Sequence, residues 1–452
     1  MSNEVGSRQP SNLSRRRALK LLGSAGLGTL VVGSAGVIAV NRANETEKIK
    51  SKARIVIAGA GAAGLTSASR LSDRLEGAEI ILIDTRKEHY YQPGFTLMAG
   101  GIKPEGYSTS TTAEYIPKGV KLVDDMVKEF DPEGNKVVTA KGVVYPYDYL
   151  IVATGLKLDY DAIGGMDVTQ IGQRGLGSLY HGPDSAVKTW HLLDAFSRKG
   201  GDAVFQRPNT EMKCAGAPLK YTFISEDYLE QRGTRSKSRV TYHSNNRALF
   251  SVPVVSEKVR MLFEERGVEI YYDRELKALD LDKQIATFNS PEGKVELPYD
   301  FINVIPPMRA PDAVRYSPLA WKTGPFAFDG WMEVEKGTLR HVRYPNVFGL
   351  GDIAGVPKGK TAASVKWQVP VAVDHLVADI QGKTSDLIYT GYTSCPLITH
   401  LGQAMLVEFD YQNNLMPSFP GIIAPLEELW TSWIMKTMGL KPTYMSMLRG
   451  RS

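Results

Sequence analysis

Residues 53–65 read ARIVIAGAGAAGL: an apolar run from Ile55 to Ala58, a glycine turn, and the opening of a helical pattern. A short apolar run bounded by glycine predicts a strand buried on both faces. Gly59, Gly61 and Gly64 then stand in G-x-G-x-x-G spacing. The first permits a tight turn, the second lets a pyrophosphate approach the backbone, and the third lets helix and strand pack closely. Asp84 closes the next apolar run, EIILID from Glu79, 20 residues after Gly64, where a carboxylate accepts the hydroxyls of an adenosine ribose. Strand, turn, helix and carboxylate in this order predict an α/β dinucleotide-binding fold; the bland alternative is a tight turn without a ligand.

Working toward the N-terminus, residues 41–52 are a polar linker. Before them stands SRRRALKLLGSAGLGTLVVGSAGVIAV, three arginines followed by small and apolar residues. This resembles a twin-arginine export signal, with Ala18 where a bulky apolar residue is usual, or else it is an N-terminal membrane anchor. Arg8, Arg15, Arg16, Arg17 and Lys20 against Glu4 account for most of the chain's net charge of +5. The remainder is nearly neutral, so nothing points to nucleic acid. With 452 residues, 43% of them hydrophobic and 23% charged, the chain can build two or three domains.

Working toward the C-terminus, strand-like runs around the turn signal DPEGN (131–135) predict a small antiparallel insert within 120–155. A second α/β unit follows, and the first pattern resumes in YPNVFGLGDIAG (344–355) and a long helix over 361–381. Val152-Ala153-Thr154-Gly155 and Gly349-Leu350-Gly351-Asp352 resemble two further signatures of the flavoproteins built from two dinucleotide-binding domains. That resemblance implies FAD held by Gly59, Gly61, Gly64, Asp84, Thr154, Gly155, Gly351 and Asp352. It further implies that Asp352 holds the ribityl chain and that a helix N-terminus faces the flavin. Relatives using NAD(P)H carry a second glycine fingerprint, but GQRGLG at 172–177 has the wrong spacing.

At the strand-to-helix junction of the second unit stands Cys214, flanked by Lys213 and Lys220 before a helix predicted over 219–231. Helix dipole and lysine charge both favour a thiolate there. The other cysteine, Cys395 in YTSCP, reads as lying in a turn. Two isolated cysteines are commonly unrelated core residues. However, KCAGAPLKYTFISEDYL, IPPMRAPDAV, YPNVFGLGD, GKTAASV, GYTSCPLIT, VEFDY and HYYQPG resemble the motifs of the sulfide:quinone oxidoreductase family, in its two-cysteine, mitochondrial-type branch, from about residue 53 to about 450.

The resemblance implies an FAD enzyme in which Cys214 and Cys395 form a redox pair beside the flavin. Sulfide attacks at Cys395, Cys214 passes two electrons to the flavin, a quinone takes them on, and an acceptor removes the sulfane sulfur. Lys360 either stabilises negative charge on flavin or quinone or is a solvated surface lysine. The histidines show no metal-ligand spacing, so no metal is expected.

The expected organisation is a signal or anchor over 1–43, an FAD-binding domain in two parts (52–164 and 296–385), a second Rossmann-like domain over 165–295 carrying Cys214, and a C-terminal segment over 386–452. In that segment APLEELWTSWIMKTMGL sets Leu426, Leu429, Trp430, Trp433, Ile434 and Met438 at helical spacing against Glu427, Glu428, Thr431, Ser432 and Lys436. Such a helix lies in a lipid interface or packs on its own domain. The leader and this helix together predict the periplasmic face of the cytoplasmic membrane. Three rivals remain: a flavocytochrome c type sulfide dehydrogenase subunit, an NADH:quinone dehydrogenase, and a non-catalytic flavin sensor or sulfur carrier.

Overall fold

The computed structural model describes residues 48–451, so the twin-arginine-type leader lies outside the described residues. The opening apolar run forms the strand Arg54–Ala58, and the glycine turn leads directly into the helix Ala62–Arg74. Ile55, Val56 and Ile57 are fully buried, which stabilises the fold by about 1.5–3 kcal/mol for each large side chain. Two glycines of the turn are required by contact. A Cβ on Gly64 would lie 1.8 Å from the Gly59 carbonyl oxygen, and one on Gly59, at φ +106°, would lie 2.4 Å from the Ala153 carbonyl oxygen.

The strand sits at the centre of a five-stranded parallel sheet, in the order Val347–Gly349, Tyr149–Val152, Arg54–Ala58, Glu79–Ile83, Lys121–Val123. The carboxyl ends of these strands bring Ala58, Val152 and Gly349 side by side, and ligands of open α/β sheets bind beyond such an edge. The antiparallel insert comprises Val127–Asp131, Lys136–Thr139 and Val144–Pro146.

A second five-stranded parallel sheet runs Leu176–Gly177, Phe301–Asn303, Gly201–Gln206, Ser238–His243, Glu269–Tyr271. Its strand Gly201–Gln206 leads through a loop to the helix Ala217–Gln231. Another antiparallel sheet, Glu275–Asp280, Ile285–Ser290 and Gly293–Pro298, was not singled out in the sequence.

The expectation for Cys395 needs correction. It lies in the strand Thr393–His400, paired with Gln403–Phe409, and is 5% exposed rather than held in a turn. Pro396 looked like a turn signal, but both strands of an isolated two-stranded ladder are edges, where a missing N–H is tolerated. This hairpin packs on the helix Ala217–Gln231 and shares a core with the second unit through Cys395, Leu397, Met405 and Val407.

The C-terminal helix also differs from expectation. Residues before Trp430 are not helical: 421–428 form turns and bends, and Leu429 is extended because it exchanges both backbone hydrogen bonds with Ala404 on the hairpin. Helix then runs from Trp430–Ile434 through a π-turn, Met435–Gly439, into Leu440–Leu448. Pro442 explains the π-turn: it has no N–H to give the preceding turn, and its ring crowds the carbonyl there. Part of the polar side is buried, with Ser432, Lys436 and Thr437 inside and Thr431 outside, while Met438 is 62% exposed and Trp430 faces solvent. Among the described residues no helix is long and apolar enough to cross a membrane.

Candidate functional site

One cavity of about 520 Å³ gathers most of the residues singled out in the sequence. Gly61, Thr154, Gly155, Gly351 and Asp352 line it, together with Thr361 and Ala362 at the start of the helix Ala362–Ile380. Gly59 and Gly64 stand behind the wall, where they allow the close packing described above. Gly155, at φ +70°, has open space where a Cβ would project, and the Thr154 hydroxyl is buried without a hydrogen-bond partner. A glycine-lined channel, an orphaned hydroxyl and a helix N-terminus suit a phosphate-bearing, polyhydroxylated ligand.

Asp84 lies beside the glycine turn, at the end of the strand Glu79–Ile83. Its carboxylate accepts from the Ala60 N–H at 2.6 Å and the Arg86 N–H at 2.8 Å, and it forms an ion pair of 2.8 Å with the Arg86 guanidinium. Burial pushes this carboxyl up, but Arg86 and the two backbone donors hold it below the ordinary value. Arg86, not Asp84, is on the cavity wall. The sequence marked the carboxylate but gave no sign that the arginine two residues later would cover it.

The two cysteines meet in the same cavity, although they lie in different units of the chain. Cys214 ends the loop before the helix Ala217–Gln231 at φ +49°, a left-handed conformation uncommon for a residue with a side chain. Its backbone is fixed from both sides: its N–H donates to the Lys360 carbonyl at 3.0 Å, and the Tyr180 hydroxyl donates to its own carbonyl at 3.0 Å. The thiols are free, and both sulfurs lie within reach of the same ammonium, that of Lys220. Gly216 makes this approach feasible, since a Cβ there would lie 2.2 Å from Cys395 Sγ.

Lys220, one helical turn into the helix, is 2% exposed and reaches both sulfurs, with Nζ 3.3 Å from Cys214 Sγ and 3.8 Å from Cys395 Sγ. Burial alone pushes this ammonium down, and the two sulfurs raise it above its ordinary value. The hydrogen bond from Cys395 lowers the Cys214 thiol well below the ordinary range, assisted by the charges of Lys220 and Lys436. Donating that hydrogen bond and burial raise Cys395 in turn. The two directions place the lower proton affinity at Cys214.

Lys436, on the π-turn, is also 2% exposed and lines the cavity, its Nζ donating to the Pro93 carbonyl at 2.9 Å. Burial, with Lys220 nearby, lowers it to about 7. The sequence assigned Lys436 to the polar face of a surface helix, and nothing local marks it as an inward-facing cation. Lys360 is buried on the cavity wall, which overturns the solvated alternative. Its ammonium donates to the carbonyls of Asp352 at 2.6 Å and Ala354 at 3.2 Å and lies 3.6 Å from the Trp331 ring centre; burial lowers it to about 8. Among the described residues no group of three His, Cys, Asp or Glu side chains could hold a metal ion.

Comparison with known proteins gives consistent results. Residues 53–178 match the family of pyridine nucleotide-disulphide oxidoreductases. The mitochondrial sulfide:quinone oxidoreductase of Dictyostelium discoideum is 36% identical over 90% of this chain and 88% of its own length. That of Mus musculus is 35% identical over 89% of this chain and 87% of its own. The X-ray structure of the sulfide:quinone oxidoreductase from Aquifex aeolicus superposes with a TM-score of 0.72 at 21% identity, covering 89% of this chain and 92% of that one. The latter likeness concerns the fold.

Proposed function

This chain belongs to the sulfide:quinone oxidoreductase family, and on that premise we propose how its cavity works. It oxidises sulfide and reduces a quinone, and FAD is the cofactor that the glycine-lined channel, the Thr154 hydroxyl and the helix N-terminus at Thr361 suit. FAD would be held by Gly61, Thr154, Gly155, Gly351 and Asp352, with Arg86 and Asp84 at the ribose as a pair, and it supplies a two-electron acceptor beside the thiols.

The single observation that supports the reading most strongly is the contact of Cys214, Cys395 and Lys220 on the wall of that cavity. In the oxidised pair, joined as a disulfide, HS⁻ attacks Cys395 Sγ. A sulfur–sulfur bond forms to the incoming sulfur, the Cys214–Cys395 bond breaks, and Cys214 leaves as a thiolate. Lys220, donating to Cys214 Sγ, and Lys436 hold the charge of that leaving group, whose low proton affinity speeds the exchange. A nucleophilic acceptor then removes the outer sulfur of the persulfide and frees the Cys395 thiolate; the Cys214 and Cys395 thiolates rejoin as the disulfide, and a bound FAD would take up the two electrons released. Tyr180 and the Lys360 carbonyl keep Cys214 in its strained conformation, so the thiolate stays aimed. Lys360 adds positive charge to the cavity wall, a setting suited to stabilising a reduced cofactor or quinone anion.

Anaerobic titration of the holoprotein with sulfide, and separately with NADH, tests this function. Stoichiometric bleaching of the flavin band by sulfide and indifference to NADH are expected; bleaching by NADH alone would overturn the reading.

The same reading extends to location. The leader pattern supports export, and the C-terminal segment supports attachment at a membrane interface: Met438 and Trp430 on the helix and Ile422 before it, itself 78% exposed, face outward. Ile422→Ser with Met438→Ser should reduce co-sedimentation with phospholipid vesicles while leaving turnover on a water-soluble quinone intact. Unchanged sedimentation would argue against this face as the membrane contact.

A further inference from the structure

A second cluster of polar groups in the cavity has no part in the sulfur chemistry. Glu408, on the strand Gln403–Phe409, is 4% exposed between the apolar neighbours Val407 and Phe409. Its carboxylate accepts from the Ser418 N–H at 2.7 Å, from the Ser418 hydroxyl at 2.5 Å, and from the Tyr392 hydroxyl. The Tyr392 and Ser418 hydroxyls are themselves 3.3 Å apart. All three residues line the cavity. Lys366 is an electrostatic partner of Glu408, and among the described residues no ion pair to Glu408 is formed.

Burying a carboxylate with hydroxyl partners in place of a paired cation is costly, and such an arrangement in a cavity points to function. Ser418 is half-exposed, and the chain after it runs to the exposed Ile422, so the cluster joins the interior to the surface. Reduction of a quinone to a quinol takes up two protons with two electrons.

We propose that Glu408, with Tyr392 and Ser418, delivers protons from solvent to the quinone oxygens. This rests on the reading of the chain as a quinone-reducing enzyme. In each delivery the Glu408 carboxylate first takes a proton from a neighbouring hydroxyl, whose own O–H bond breaks, and then its carboxyl O–H bond breaks as a quinone O–H bond forms. The electrons come from the sulfide-reduced cofactor, and Glu408 is reprotonated from water through the hydroxyls. Two deliveries complete the quinol. Glu408 has no part in sulfide oxidation, so the two halves of the catalytic cycle separate cleanly.

The test uses the holoenzyme, first reduced anaerobically with sulfide and then mixed rapidly with either decylubiquinone or ferricyanide, which takes electrons without protons. In Glu408→Gln, reoxidation by the quinone should slow by about 10²-fold, in the range of lost general acid catalysis. Reduction by sulfide and reoxidation by ferricyanide should stay at wild-type rates. Quinone affinity measured by isothermal titration should stay within about twofold, since glutamine keeps the shape and a hydrogen-bonding oxygen. Tyr392→Phe, which removes one hydroxyl, should slow the same limb less, and it decides the matter by the same two acceptors if Glu408→Gln fails to retain its cofactor. Wild-type quinone rates in the variant, or equal slowing with both acceptors, would overturn the proposal. Failure of wild-type protein to bleach with sulfide would instead overturn the function on which it rests.

Discussion

Cys214→Ala and Cys395→Ala are each expected to retain yellow, flavin-loaded protein and to lose sulfide-driven bleaching by on the order of 10³-fold or more, as removal of a covalent catalytic group does. The two sulfurs share the Lys220 ammonium and act as one unit in the proposed exchange, so the double variant should be no worse than either single one. Neither cysteine touches the glycine turn at Gly59–Gly64, which is why cofactor loading should survive. Stopped-flow absorbance after mixing with sulfide measures the rate. Wild-type bleaching in either variant would remove the paired-thiol mechanism.

Lys220→Met is expected to slow the same limb by about 10- to 150-fold, the equivalent of one charge-assisted hydrogen bond worth about 1.5–3 kcal/mol. Lys220 holds the Cys214 thiolate, so in the reduced variant the pH midpoint for alkylation of Cys214 should move upward. A structural role alone would not move that midpoint. The fold should tolerate the change, because methionine replaces a buried ammonium with an apolar chain of similar length. An unshifted midpoint with wild-type bleaching would show that Lys436 alone supplies the positive charge.

How far the site could be read from the sequence depended on how local each feature is. The turn at Gly59–Gly64 is set by neighbours in the chain, and its strand, helix and steric demands follow from a dozen residues. Cys214 was legible for the same reason: it precedes a helix that its own sequence predicts, with Lys220 one turn along. Cys395 was misread because Pro396 has two meanings, and only the edge position of its strand, a tertiary fact, selects between them. Lys436 lay beyond local reasoning altogether. Its inward turn follows from the hairpin at Ala404 capturing Leu429 and from Pro442 forcing the π-turn, which together rotate part of the polar side of the helix into the cavity. Asp84 is marked by its place at a strand end, but the Arg86 guanidinium that covers it shows only once that end is folded against the glycine turn.

Everything in the sulfur chemistry depends on Cys214 and Cys395 being covalently linked in the oxidised enzyme. Peptide mapping by mass spectrometry of oxidised holoenzyme, digested without reductant, tests this most directly. The account predicts that the peptides containing Cys214 and Cys395 are recovered as one cross-linked species, through a disulfide or a bridging sulfur, and that anaerobic sulfide opens it. Recovery of the two peptides separately, each with an alkylatable thiol, from enzyme that turns over at full rate would contradict it.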